Sequence, residues 1–169
     1  RIALLTGVVC LAASAIAQEV RFDYDRGANF SAYRTYQWVE RAKATSTNQL
    51  MDQNIKSAVD SQLAAKGLQR VESGGDLQIA YQAAIDHEKQ FDTWGAGPRW
   101  LGTTRVTSST IDVGKLVVDL YDPAKGQLVW RGMAEKTLDL KKDPEKNYQN
   151  LQKAMAKLFK SYPPSYGSK

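Results

Sequence analysis

Between Gly114 and Gly132 the chain reads GKLVVDLYDPAKGQLVWRG, and no other stretch constrains the fold as much. Leu116, Val118 and Leu120 alternate with Val117, Asp119 and Tyr121, the period of a strand with one buried face. Asp122-Pro123-Ala124-Lys125-Gly126 puts Pro and Gly where a tight reversal needs them. Leu128 and Trp130 then share one face of the returning strand. A hairpin of this kind has an apolar side that must be covered, so the question becomes what in the chain can cover it.

Two segments can. From Gln49 to Lys66 the spacing predicts a helix whose apolar face carries Met51, Ile55, Val59 and Leu63, with Gly67 as its left-handed stop and Leu68 packing back. Asp143-Pro144 is a capping Asp followed by Pro at the first helical position. Behind it Tyr148, Leu151, Met155, Leu158, Phe159 and Tyr162 form one apolar stripe, with Lys146, Lys153, Lys157 and Lys160 on the other side, and Pro163-Pro164 ends the helix.

The remaining segments read as strands. Val20, Phe22 and Tyr24 alternate with Arg21, Asp23 and Asp25; Tyr33 to Val39 is aromatic and β-branched; LQRVE is short; LQIAYQAAIDHE is longer, with Leu77, Ile79 and Tyr81 on one side. Gly114 is expected to mark a bend or bulge. Lys89 to Thr103, with three Gly, a Pro and two Trp, reads as a long loop or a loose hairpin tip. The expected order is ββαββββα: an α+β two-layer sandwich, with a mostly antiparallel sheet of about six strands and both helices on one face. A return through the first helix would make one strand pair parallel. No internal repeat or domain boundary is visible, and 169 residues suffice for a single core.

The first residues, RIALLTGVVCLAASAIAQ, have a basic start, a short apolar run and a small-residue site at Ala15-Ile16-Ala17, as a secretory signal peptide has. Residues 1–17 are therefore expected to be removed, leaving a single domain over 18–164, a loose tail over 165–169 and a periplasmic location. Cys10 would be discarded with the leader, and the mature chain would then hold no thiol. The alternative is a lipid on Cys10 and a membrane-anchored protein, although Val9 stands where a lipoprotein signal wants a small residue. Membrane association is expected only in that case.

The catalytic inventory is thin. His87 is the one histidine, and its neighbours Asp86 and Glu88 point to the opposite strand face, so the three do not converge on a metal. No nucleophile elbow, phosphate loop or dinucleotide fingerprint accompanies it. Asp23 with Asp25 in one strand, and Asp112 with Asp119 in another, are the carboxylates an acid–base mechanism would need; alternation with apolar residues reads instead as a solvated face. No catalytic residue, metal ligand or cofactor is expected. The net charge of +5 is spread without a Lys/Arg arm, which excludes a nucleic-acid reading and favours an acidic envelope surface or another envelope protein as partner. Trp94, Arg99 and Trp100 in the untidy loop, and Lys153 and Lys157 on the last helix, form the candidate interaction surface.

Several of these motifs recur together. Phe30, Tyr33-Arg34-Thr35-Tyr36 and Trp38, the Gly67 stop, the Gly114–Leu120 strand, Leu128-Val129-Trp130-Arg131-Gly132 and the closing LFKSYPP resemble the DUF4136 family of bacterial envelope proteins over most of Val20–Pro164. That resemblance implies an exported protein, many members being lipoproteins, and carries no shared activity or catalytic residue. The expectation is a non-catalytic periplasmic accessory or binding domain. The alternatives are an envelope hydrolase using carboxylates and a lipid-anchored structural or assembly protein.

Overall fold

The alternating segments become strands, as their period requires, in the computed structural model, which describes residues 19–39, 49–94, 105–138 and 143–164, the side chains of 90–94 and 105–107 excepted. Strands β1 (Glu19–Tyr24), β2 (Thr35–Trp38), β3 (Gln69–Arg70), β4 (Leu77–Trp94), β5 (Arg105–Asp122) and β6 (Gln127–Leu138) form one six-stranded sheet in the order β1-β6-β5-β4-β2-β3. The pairs β1–β6, β6–β5 and β5–β4 are antiparallel, whereas β2 runs parallel to both β4 and β3. The parallel pairs follow from the crossover through helix α1 (Gln49–Ala65), which returns the chain to the same end of the sheet. Helix α2 (Pro144–Leu158) closes the order predicted from the sequence.

Both helices bury their apolar stripes against one sheet face. Ile55, Ala58, Val59 and Leu63 of α1 and Ala154, Met155 and Leu158 of α2 join Leu77, Ile79, Leu116, Val118, Leu120 and Trp130 in a single core. Met51 departs from the expected stripe: it lies in the first turn of α1 and is largely exposed. The C-terminus of α1 ends as its sequence demands. Gly67 takes φ +85°, its N–H bonds the Ala64 carbonyl, and the Leu68 N–H reaches back to Leu63. At the start of α2 the Asp143 carboxylate accepts from the Glu145 N–H at 2.9 Å, with Pro144 at the first helical position. Trp130 sits at the centre of an aromatic cluster, its ring 5.2 Å from that of Phe159 and 5.7 Å from that of Tyr162.

Two local expectations change. Gly114 is neither a bend nor a bulge: the register runs unbroken through it, opposite Ile85 on one side and Lys136 on the other. Leu138 closes over it: a Cβ there would meet Leu138 Cδ1 at 2.9 Å, so any larger residue would have to push the Leu138 side chain aside. The irregularity lies instead at Leu120/Tyr121, where Val129 is the extra residue on β6. The segment from Lys89, read as a long loop or a loose hairpin tip, is regular strand as far as Trp94, paired residue by residue with β5 to Arg105. Ladder hydrogen bonds overrode a composition that looked unsuited to pairing.

Two carboxylates tie the scaffold together. Asp76 accepts from the backbone N–H groups of Arg34 and Thr35 at 2.8 and 2.9 Å, pinning the start of β2 beside the start of β4. Asp122 is buried; it accepts from the Tyr33 hydroxyl at 2.9 Å and from the N–H groups of Ala124 and Lys125 in the hairpin turn. Hydrogen bonds from the Arg34 and Thr35 N–H groups hold the Asp76 carboxyl below its ordinary range. Burial alone would raise that of Asp122, but the Tyr33, Lys125 and Ala124 donors outweigh it and the net direction is also down. A carboxyl lowered on folding contributes stability above its unfolded value and loses it as the pH falls toward its folded one. Unfolding free energy is therefore expected to drop steeply below about pH 4. Asp122→Asn should flatten that acid limb in urea titrations at stepped pH; an unchanged slope would show that Asp122 titrates alike in both states.

Candidate interaction surface

Strands β4 and β5 outrun their neighbours. β6 ends at Leu138, opposite Asp112, and β2 pairs with β4 only from Leu77 to Ile79. Among the described residues, Lys89–Trp94 and Arg105–Ile111 therefore form a two-stranded arm beyond the body of the sheet. Among the residues whose side chains are described, the core cluster on these strands includes nothing past Ala83 and Leu116, and Val113 is buried on the opposite face. Where the arm begins, side chains sort by face. Ile85, His87 and Lys89 lie on the helix-bearing side with Asp112 and Thr110, and Asp86 and Glu88 lie on the other with Val113 and Ile111. His87 Nδ1 stands 2.5 Å from Asp112 Oδ1 and its side chain is exposed, while Lys115 bridges Asp86 at 2.8 Å and Glu88 at 3.6 Å. His87, Asp86 and Glu88 thus diverge as strand alternation dictates. Among the described residues no three His, Cys, Asp or Glu side chains gather as metal ligands would.

The sequence-predicted surface is placed in part. Trp94 is the last residue of β4, opposite Arg105, so it stands at the far end of the arm; Arg99 and Trp100 lie outside the described residues. Lys146, Lys153 and Lys157 are exposed on α2, and Lys160 is exposed in the 3-10 turn that follows it, Phe159–Ser161. Sequence reading missed the arm itself, because a strand pair outside a core needs no apolar alternation to announce it.

The uncovered sheet face is not the solvated carboxylate row that the alternation suggested. Asp119 is only 4 % exposed, since Arg131 lies across it with Nε and Nη2 at 2.6 and 2.7 Å from its two oxygens. The Tyr121 hydroxyl adds a third donor at 3.3 Å. The hydrogen bond to Asp119 is the main reason the Arg131 guanidinium is held still more firmly in its charged form. Asp112, seven residues away, faces the other side with His87, so the two carboxylates do not meet. Asp25 lies past the end of β1 and receives the Gly27 N–H at 2.8 Å.

An open groove of about 410 Å³ runs along α1, lined by Gln53, Lys56, Ser57, Asp60, Ser61 and Arg70. Its carboxylate is occupied: Asp60 accepts from the Tyr36 hydroxyl at 2.8 Å, the Trp38 indole N–H at 2.9 Å and Arg70 at 3.0 Å, which fastens α1 to β2 and β3. A smaller hollow of about 100 Å³ lies between Phe22, Tyr24, Lys160, Ser161, Pro163 and Pro164. No helix among the described residues is long and apolar enough to cross a membrane.

These features define a class: a two-layer α+β domain with one uncovered sheet face and a projecting hairpin. The chain belongs to the DUF4136 family, a domain of unknown function whose family model matches residues 20–164. No curated protein matches the sequence. Among solved structures the chain is similar to a DUF4136 family protein from Bacteroides thetaiotaomicron at 16 % identity and TM-score 0.50, covering 86 % of this chain and 96 % of that one. It is similar to a chain of the PelC dodecamer from Paraburkholderia phytofirmans at 11 % identity and TM-score 0.52, covering 85 % and 95 %. A PDZ domain protein from Parabacteroides distasonis matches with TM-score 0.59 and 13 % identity over 90 % of this chain, which spans 37 % of that protein's length. At such identities the likeness is one of fold.

Proposed function

We propose that this chain is an exported, non-catalytic binding domain of the bacterial envelope, and that the β4–β5 arm engages its partner. The arm carries this reading. An isolated two-stranded ribbon is marginal in water, and this one extends past every core residue among those whose side chains are described. A ribbon so placed gains stability from whatever packs on it, and Trp94 stands at its far end. Export rests on the signal-peptide pattern of residues 1–17.

The carboxylates support binding over hydrolysis. Asp76 and Asp122 are engaged by backbone and hydroxyl donors that tie elements together, and Asp119 is clamped by both nitrogens of Arg131. The groove carboxylate, Asp60, serves three structural donors. A structural role through assembly is the second reading, favoured by one observation: a PelC chain of similar fold is found as a dodecamer.

The test replaces residues 91–108 by a two-residue Asn-Gly turn, so that Gln90 and Ser109, already partners, close a shorter hairpin. Full-length chain should fractionate with the envelope and capture defined envelope proteins that the shortened chain does not retain. Cytosolic accumulation, or identical capture by both forms, would contradict the proposal.

A further inference from the structure

Among the described strands, two long stretches of edge of different kinds have no neighbour. β1 is the outermost strand on one side. On the other, β3 is outermost but only two residues long, and no described strand pairs there with β4 from Gln82 to Trp94, β2 and the Val39 N–H reaching only as far as Ile79. Neither edge carries a Pro or a bulge, although both carry charges: Glu19, Arg21 and Asp23 on β1, Asp86, Glu88 and Lys89 on β4.

The edges match in side chains as well as in backbone. Phe22 and Ile85 are large apolar residues, each 48 % exposed. Both lie on the helix-bearing side of the sheet, Phe22 in the face of Tyr24 and Trp130, Ile85 in that of Ile79 and Tyr81. On the opposite side β1 presents Arg21, which pairs with Glu19 of its own strand at 2.6 Å, and β4 presents Asp86 and Glu88, which Lys115 bridges. Pairing the two edges sets an exposed cation against an exposed carboxylate row by exchanging partners. In an antiparallel pairing that sets Phe22 against Ile85, Arg21 necessarily falls against Asp86, on the correct face. Val20 then meets His87, Tyr24 meets Ala83 and Asp23 meets Ala84. Glu19 faces Glu88, whose charge Lys115 already offsets from 3.6 Å. A parallel pairing in the same position would set Asp23 against Asp86. The six residues of β1 fill β4 from Ala83 to Glu88, the stretch between the end of β2 and the arm.

We propose that β1 of one copy adds antiparallel to the open edge of β4 of the next, Phe22 against Ile85 and Arg21 against Asp86, continuing the sheet from molecule to molecule. The two surfaces are different, so the contact is head-to-tail and can repeat, giving a ring if the rotation closes and a filament if it does not. The inference rests on the reading of the chain as a binding domain and names a second copy as one of its partners.

Directly opposed strand residues have Cα atoms about 4.5–5.5 Å apart, inside the range a disulfide spans. In a Cys10→Ser background the purified chain carrying both Phe22→Cys and Ile85→Cys should form, on mild oxidation, a reducible ladder extending beyond the dimer. Phe22→Cys alone should give at least tenfold less cross-linked product. So should Phe22→Cys combined with Ala84→Cys, because Ala84 lies on the other face. Arg21→Glu should cut the assembled fraction seen by light scattering, and Arg21→Glu with Asp86→Arg should restore it. Three results would each overturn the proposal: a monomer by light scattering, a product that stops at dimer with Phe22→Cys alone, or equal ladders from the Ile85 and Ala84 pairs. The arm-shortened chain keeps Ala83–Glu88, so the two ideas fail separately. A monomer whose arm still captures envelope proteins overturns edge pairing alone, whereas a ladder-forming chain that captures the same proteins without its arm overturns the arm alone.

Discussion

Trp130→Ala is expected to lower the unfolding free energy by about 3–5 kcal/mol, the cost of emptying the space of a fully buried aromatic residue. Trp130 has no exposed surface and lies against Phe159 and Tyr162, where the hairpin, α2 and the turn after it converge. Its indole N–H finds no hydrogen-bond partner among the described residues, so truncation removes ring contacts and cavity lining without breaking a polar link. Urea unfolding should show a lower midpoint with an unchanged slope. A loss below about 1 kcal/mol is typical of exposed positions and would place the ring outside the core.

Gly132→Ala should cost about 1–3 kcal/mol although it adds a single methyl group. Gly132 lies on β6 between Val118 and Phe22, under the Trp130 ring. A Cβ at this position would run into Trp130 Cη2 and approach Leu158 Cδ1 and Cγ at 2.8 and 2.9 Å. The two residues share one space and are expected to couple. In a Trp130→Phe background the cost of Gly132→Ala should shrink by more than about 0.5 kcal/mol, the scale that separates coupled from independent sites. Strict additivity would mean that the ring is not what excludes the methyl group.

The pair also shows why the fold was largely legible in the sequence. Leu116, Val118, Leu120 and Trp130 alternate because one side is buried, and the stripe from Leu151 to Leu158 repeats at helical spacing for the same reason. Caps at Asp143 and Gly67 are local and were readable as such. Features governed by distant contacts were not. Gly114 looks like a bend until Leu138, 24 residues on, is seen to fill the space above it. Asp119 looks solvated until Arg131 crosses from the next strand. The candidate interaction surface was the least legible part. The arm is held by backbone pairing, which leaves no periodic mark, and an open edge is defined by which strand lies beside it. That is a property of topology.

The division between a self-sufficient body and a partner-seeking arm is the central claim, and thermal unfolding of the arm-shortened chain tests it most directly. The body retains every core residue in that variant, so its Tm should stay within a few degrees of the full chain's, since a loss of 1 kcal/mol moves Tm by only about 2–8 °C across domains of this size range. A fall of more than about 10 °C would correspond to several kcal/mol. It would show that the arm belongs to the folding core and contradict its assignment as a surface held out for a partner.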